Sequence, residues 1–62
     1  MAKLPYRVQV FRKRKLVERN HFLTEEQAYK HYDFLERRYY HELEDFNVRI
    51  SIVYNGIYLK AA

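Results

Sequence analysis

The sequence predicts a small α+β domain of ββαββ type: an antiparallel sheet made of two hairpins, with one helix packed on one face. Three observations lead there. Apolar residues alternate with polar ones at Tyr6, Val8 and Val10 and again at Val48, Ile50, Ile52 and Tyr54, the period of a half-buried strand. Between these runs Ala28, Tyr32, Leu35, Tyr39 and Leu43 recur at helical spacing and form one apolar stripe. Asn55-Gly56 stands between two β-prone runs, and a type I′ hairpin turn needs positive φ at both central residues, which Asn and Gly tolerate best.

The first strand is expected over residues 5–11, turning Tyr6, Val8 and Val10 to one side and Arg7, Gln9 and Phe11 to the other. Arg12-Lys13-Arg14-Lys15 then reads as a hairpin turn, followed by a second strand over 16–22. Its patterning is less regular. Simple hairpin pairing sends Arg19 and His21 inward, which points to a bulge or an edge strand. The helix is expected over 25–43, with Thr24 as N-cap, Gln27 completing a capping box, and Leu23 packing on Ala28 as a hydrophobic staple.

Tyr29 and Tyr40 widen the buried stripe of that helix. Glu26 with Lys30 and Asp33 with Arg37 are acid-before-base pairs at i,i+4 and mark a solvated face. Phe34 interrupts this face, among Lys30, Arg37, Arg38 and His41. Strands over 47–54 and 57–60 complete the sheet. A two-residue turn at Asn55-Gly56 pairs Tyr54 with Ile57 and Ile52 with Leu59, leaving Val53 and Tyr58 on the outer side.

A chain of 62 residues makes one domain, and its 48% hydrophobic content is too high for a disordered segment. With Gly56 as the only glycine, no glycine-rich phosphate loop can form. The absence of cysteine excludes disulfides, thiolate catalysis and Cys zinc sites. No uninterrupted apolar run exceeds three residues, as in Ile52-Val53-Tyr54, against ~20 residues for a membrane span and ~7–15 for the core of a signal peptide. A cytoplasmic protein without membrane association is the expectation.

The net charge of +4 conceals a segregation along the chain. Lys3, Arg7, Arg12, Lys13, Arg14, Lys15 and Arg19 precede the helix against Glu18 alone. Glu25, Glu26, Asp33, Glu36, Glu42, Glu44 and Asp45 crowd the helix and its end. A helix of ~28 Å at 1.5 Å per residue returns to the end of the domain where the basic turn lies. Three readings of Arg12 to Lys15 follow: neutralisation by Glu42, Glu44 and Asp45, contact with nucleic-acid phosphates, or plain solubility.

The outer sheet face is expected to present Arg7, Gln9, Phe11, Leu16, Glu18, Arg49, Ser51, Val53, Tyr58 and Lys60. Phe11, Leu16, Val53 and Tyr58 are more apolar groups than a solvated face needs, and a contiguous patch of this kind marks a protein contact. Phe34, with Arg38 beside it, is a further contact candidate, or an aromatic stacked on that arginine. No metal or catalytic constellation emerges. His41 and Asp45 at i,i+4 lack a third ligand, and no pattern pairs Ser51 or Thr24 with a base and an orienting acid.

Tyr6-x-Val8-x-Val10, the basic turn, and Phe22-Leu23-Thr24 followed by Ala28 resemble the small sheet-and-helix DNA-binding arms of phage-type integrases. Those arms place three strands before the helix and this sequence has two, so their function is not carried over. In size and layout the chain is also similar to short phage-encoded proteins that block a host machine by binding it.

The expected function is therefore binding without catalysis, metal or cofactor: an adaptor or inhibitor acting by protein contact through Phe11, Leu16, Phe34, Arg38, Val53 and Tyr58. The alternative is a nucleic-acid-binding module using Arg12, Lys13, Arg14 and Lys15, helped by Arg7 and Arg49. A homodimer subunit is the third reading.

Overall fold

Two hairpins meet through their first strands. In the computed structural model, which describes residues 4–61, the elements are β1 (Tyr6–Arg12), β2 (Lys15–Phe22), α1 (Glu25–Arg38), α2 (Tyr40–Glu44), β3 (Val48–Tyr54) and β4 (Ile57–Ala61). They form one antiparallel sheet of order β2-β1-β3-β4, with the helices across one face. The central strands carry the sheet's share of the core. Val8, Val10, Val48, Ile50 and Ile52 pack against Ala28, Tyr32 and Leu35 of α1. Each such large apolar side chain contributes roughly 1.5–3 kcal/mol on leaving water.

Thr24 caps α1 as the sequence predicts, its hydroxyl accepting the Gln27 N–H at 3.3 Å. Glu26 pairs with Lys30 at 3.2 Å, whereas Asp33 and Arg37 form no ion pair among the described residues. The continuous helix expected over 25–43 is interrupted at Tyr39 (φ −104°, ψ 20°), which ends α1 and starts α2. Three residues of modest helix propensity, Tyr39, Tyr40 and His41, adjoin there. In consequence Tyr40 is 57% exposed and does not widen the core stripe, while Tyr29 does.

Two bulges revise the expected faces. Val10 lies opposite Glu18 but Phe11 lies opposite Leu16, so Val17 is an extra residue in β2. From there the alternation of β2 reverses. Glu18, Asn20 and Phe22 share the helix side with Val10, Val8 and Tyr6, and Arg19 and His21 share the outer side with Gln9 and Arg7. Glu18 thus leaves the outer face to which simple pairing assigned it. Its carboxylate lies 3.8 Å from His31 Nε2 and accepts hydrogen bonds from Asn20 Nδ2 (3.2 Å) and the Tyr39 hydroxyl (3.5 Å).

The second bulge is at Leu59. Tyr54 pairs with Ile57 and Val53 with Tyr58 as expected, but Ile52 pairs with Lys60 rather than Leu59. Lys60 therefore turns to the helix side, not the outer one, with Nζ 4.6 Å from the Tyr32 ring centroid and 5.8 Å from that of Tyr29. Its stem covers apolar surface while its ammonium sits over aromatic faces.

Both hairpins turn on two residues at positive φ. Asn55 (φ 48°) and Gly56 (φ 84°) do so with the residue types that suit the turn. Lys13 (φ 49°) and Arg14 (φ 70°) adopt the same conformation without them. After α2, the Phe46 N–H donates to the Leu43 carbonyl (3.1 Å) and the Asn47 N–H to that of Glu42 (3.0 Å). This is the Schellman pattern, and it puts Phe46 at φ 58° where glycine is usual.

Candidate functional site

The outer sheet face is ordered by the strand registers. Leu16, Phe11 and Arg49 form one row; Arg19, Gln9, Ser51 and Ala61 the next; His21, Arg7, Val53 and Tyr58 the third. No carboxylate lies in any of them. The eight Asp and Glu residues are Glu18, turned to the helix side by the Val17 bulge, and seven others on α1, α2 and the residue that ends α2. Among the described residues Arg7, Arg19 and Arg49 make no ion pair.

Gln9 (5% exposed), Ser51 (7%) and Val53 (2%) form a sunken floor between the longer side chains of this face. Arg7 Nε is buried there without a hydrogen-bond partner among the described residues. Of the four apolar groups expected to make one patch, Val53 is buried, Phe11 is half-buried beside the exposed Leu16, and Tyr58 is exposed beside Val53 on the third row. The Gln9–Ser51 row separates the Phe11–Leu16 corner from Tyr58.

The basic turn and the acidic helix end do meet, through one pair. Arg12 Nη2 lies 2.8 Å from both carboxylate oxygens of Glu42, and the Lys13 N–H donates to the Asn47 carbonyl at 3.1 Å. Arg12 is thereby engaged within the domain. Lys13, Arg14 and Lys15 make no ion pair among the described residues and are exposed; Lys15, opposite Arg12 and in the row of Val48, falls on the helix side rather than the outer one.

On the helix side, Phe34 is 55% exposed and stacks on His31 (5.9 Å between centroids, 26° between planes), which in turn lies 5.1 Å from the Phe22 ring. Arg38 is not its partner. That guanidinium sits over Tyr39, 5.7 Å from the ring centroid.

The bulge or edge strand to which the inward Arg19 and His21 pointed is found in β2 as both, whereas the place of Arg19 on the outer face and the role of Phe46 escape sequence reasoning. Arg19 joins the basic face only through the bulge, for which the signal was the adjacent apolar pair Leu16-Val17 ahead of Glu18. Phe46 is 82% exposed and, with Tyr40, Leu43, Val48, Ile50 and Tyr58, lines a half-open groove of about 1120 Å³. No local rule placed an aromatic at the left-handed position after α2.

Among the described residues no three His, Asp or Glu side chains come together as metal ligands do. Among the same residues no helix is long and apolar enough to cross a membrane. No family model, curated protein or solved structure matches this chain.

Proposed function

We propose that this domain is a non-enzymatic binding module whose outer sheet face receives a single-stranded nucleic acid. The observation that carries the reading is the separation of charge by face: Arg7, Arg19 and Arg49 on a surface free of carboxylates, flanked by Lys13 and Arg14 of the turn. Unpaired arginines spend nothing on breaking internal ion pairs when they meet phosphate, and each contact releases a condensed counterion. A single strand suits the surface better than a duplex. The face is a broad four-stranded sheet, and the half-buried Phe11 and exposed Tyr58 offer ring faces on which unpaired bases stack, at roughly 1–3 kcal/mol per base.

Fluorescence anisotropy of labelled oligo-dT and of a duplex of equal length, titrated at low and moderate salt, tests this. Tighter binding of oligo-dT is expected, with the logarithm of affinity falling by about 0.7 per phosphate contact for each tenfold rise in salt. The triple change Arg7→Gln, Arg19→Gln, Arg49→Gln should weaken it more than tenfold. Equal affinity of that variant would overturn the reading.

Protein contact is the second reading, favoured by the exposed aromatics Tyr40, Phe46 and Tyr58 around the groove. Cytoplasmic placement and pairing of two copies belong with it as proposals. Sedimentation over a concentration series checks the pairing.

A further inference from the structure

We infer that the groove beside β3 binds an extended peptide segment in which apolar and acidic residues alternate, added to the sheet as a further strand. The inference rests on the protein-contact reading and names the partner's chemistry.

The first support is the backbone. β4 runs along β3 only from Tyr54 to Ser51, where Ala61 pairs, so Val48 to Ile50 extend past its described end. The Lys13 N–H bonds to the Asn47 carbonyl, which makes 13 and 47 a hydrogen-bonded pair of the β1–β3 ladder. In an antiparallel ladder such pairs recur every second residue. Odd-numbered residues of β3 therefore direct their N–H and C=O groups to β1, and Val48 directs its pair to the other side. No described strand lies against Val48 on that side. The groove borders this stretch, its lining including Val48, Arg49, Ile50 and Ala61.

The second support is the pair of walls. Side chains of an added strand alternate between the two faces of the sheet. On the helix side they meet Tyr40 and Leu43 with Glu36 and Glu44 beside them, a wall that takes apolar side chains and repels acidic ones. On the outer side they meet Arg49, Lys13 and Arg14, none of which is ion-paired among the described residues, and no carboxylate. Acidic side chains complement that wall. A second copy of the chain fits poorly, because two β3 edges would bring Arg49 near its counterpart with no acid on the outer side to answer either.

The third support is Phe46. A bulky aromatic at φ 58° is an uncommon choice, and its 82% exposure means that core packing does not explain it. It lines the groove, where its ring has a use.

The test titrates the 62-residue protein with capped, labelled peptides, following anisotropy and backbone amide shifts. The probes are an alternating Val-Glu peptide, an alternating Val-Lys peptide of equal length, and the Val-Glu peptide N-methylated at every second residue. Saturable binding of Val-Glu is expected, with the other two at least tenfold weaker and the largest shifts at Phe46 and Val48 to Ile50. Arg49→Glu, on an exposed side chain, should invert the Val-Glu to Val-Lys preference. Equal binding of the N-methylated peptide at these residues would overturn strand addition and leave the contact reading standing. Absence of saturable binding by all three would overturn the inference and remove the groove from the contact reading. Shifts confined to Arg7 and Arg19, or a concentration-dependent dimer that displaces the peptide, would also overturn it.

Discussion

A single guanidinium nitrogen of Arg12 lies 2.8 Å from both carboxylate oxygens of Glu42, tying the first hairpin to the end of α2 across thirty positions of sequence. Both side chains are about half exposed, so the pair contributes at most about 1 kcal/mol to stability. Its larger effect is on the field around the turn. Changing Glu42, Glu44 and Asp45 to Gln, Gln and Asn should leave the unfolding midpoint nearly unchanged and strengthen oligo-dT binding several-fold at low salt. Anisotropy reads the second quantity. Unchanged affinity would mean that these acids do not screen the turn.

Replacing Lys13-Arg14 by Asn-Gly gives the first hairpin the residues that its φ angles favour. Left-handed backbone costs an ordinary residue roughly 1–2 kcal/mol, so the variant should be more stable, by several degrees in Tm for a domain this small. Its oligo-dT affinity should drop. Thermal unfolding and anisotropy on one sample set the gain against the loss, and a variant that gained in both would separate the turn from binding.

Phe46→Gly makes a similar prediction at the groove. The backbone at φ 58° relaxes, little burial is lost from a side chain already 82% exposed, and stability should rise by about 1 kcal/mol. Binding of the Val-Glu peptide should fall at least fivefold, as measured by the same titration. Oligo-dT binding should not change.

Tyr32 supplies the pH dependence. Its hydroxyl is buried without a hydrogen-bond partner among the described residues. Burial, assisted by the charges of Glu36 and Asp33, pushes its pKa up from 10.0 to about 12. The neutral phenol is the form the fold accommodates, so its contribution is complete below pH 10, where the unfolded chain is also neutral. It is lost as pH rises through about 12, because the unfolded chain ionises first. Urea unfolding across this window should show stability falling in the native protein and a shallower fall in Tyr32→Phe. The same variant removes an unpaired buried polar group and should be about 1 kcal/mol more stable at neutral pH.

The elements and their order were legible because their signals are local. Thr24 caps the helix it precedes, Asn55-Gly56 turns the hairpin it interrupts, and Ala28, Tyr32 and Leu35 share one side of a helix whatever surrounds them. Which residues face outward on the edge strands was less legible. Alternation propagates an assignment only until a bulge resets it, as the register shifts at Val17 and Leu59 do. Glu18 and Lys60 were misplaced for that reason. The charge pattern followed suit: read along the chain it divides by segment, whereas in space it divides by face. Phe46 was hidden differently, since nothing in Asp45-Phe46-Asn47 carries the glycine by which a left-handed helix end is usually known.

One inserted residue, Val17, has an effect out of proportion to its size. Because side chains alternate, it acts as a parity change on the rest of β2. Were Val17 absorbed into the ladder opposite Val10, Glu18 and Asn20 would move to the outer face and Arg19 and His21 would be drawn beneath the helix. Loss of its codon, with Lys15 and Leu16 held by their turn, would instead close the bulge and leave Glu18 opposite Val10, with every face unchanged. The identity of that surface is thus encoded in the bulge as much as in residue type.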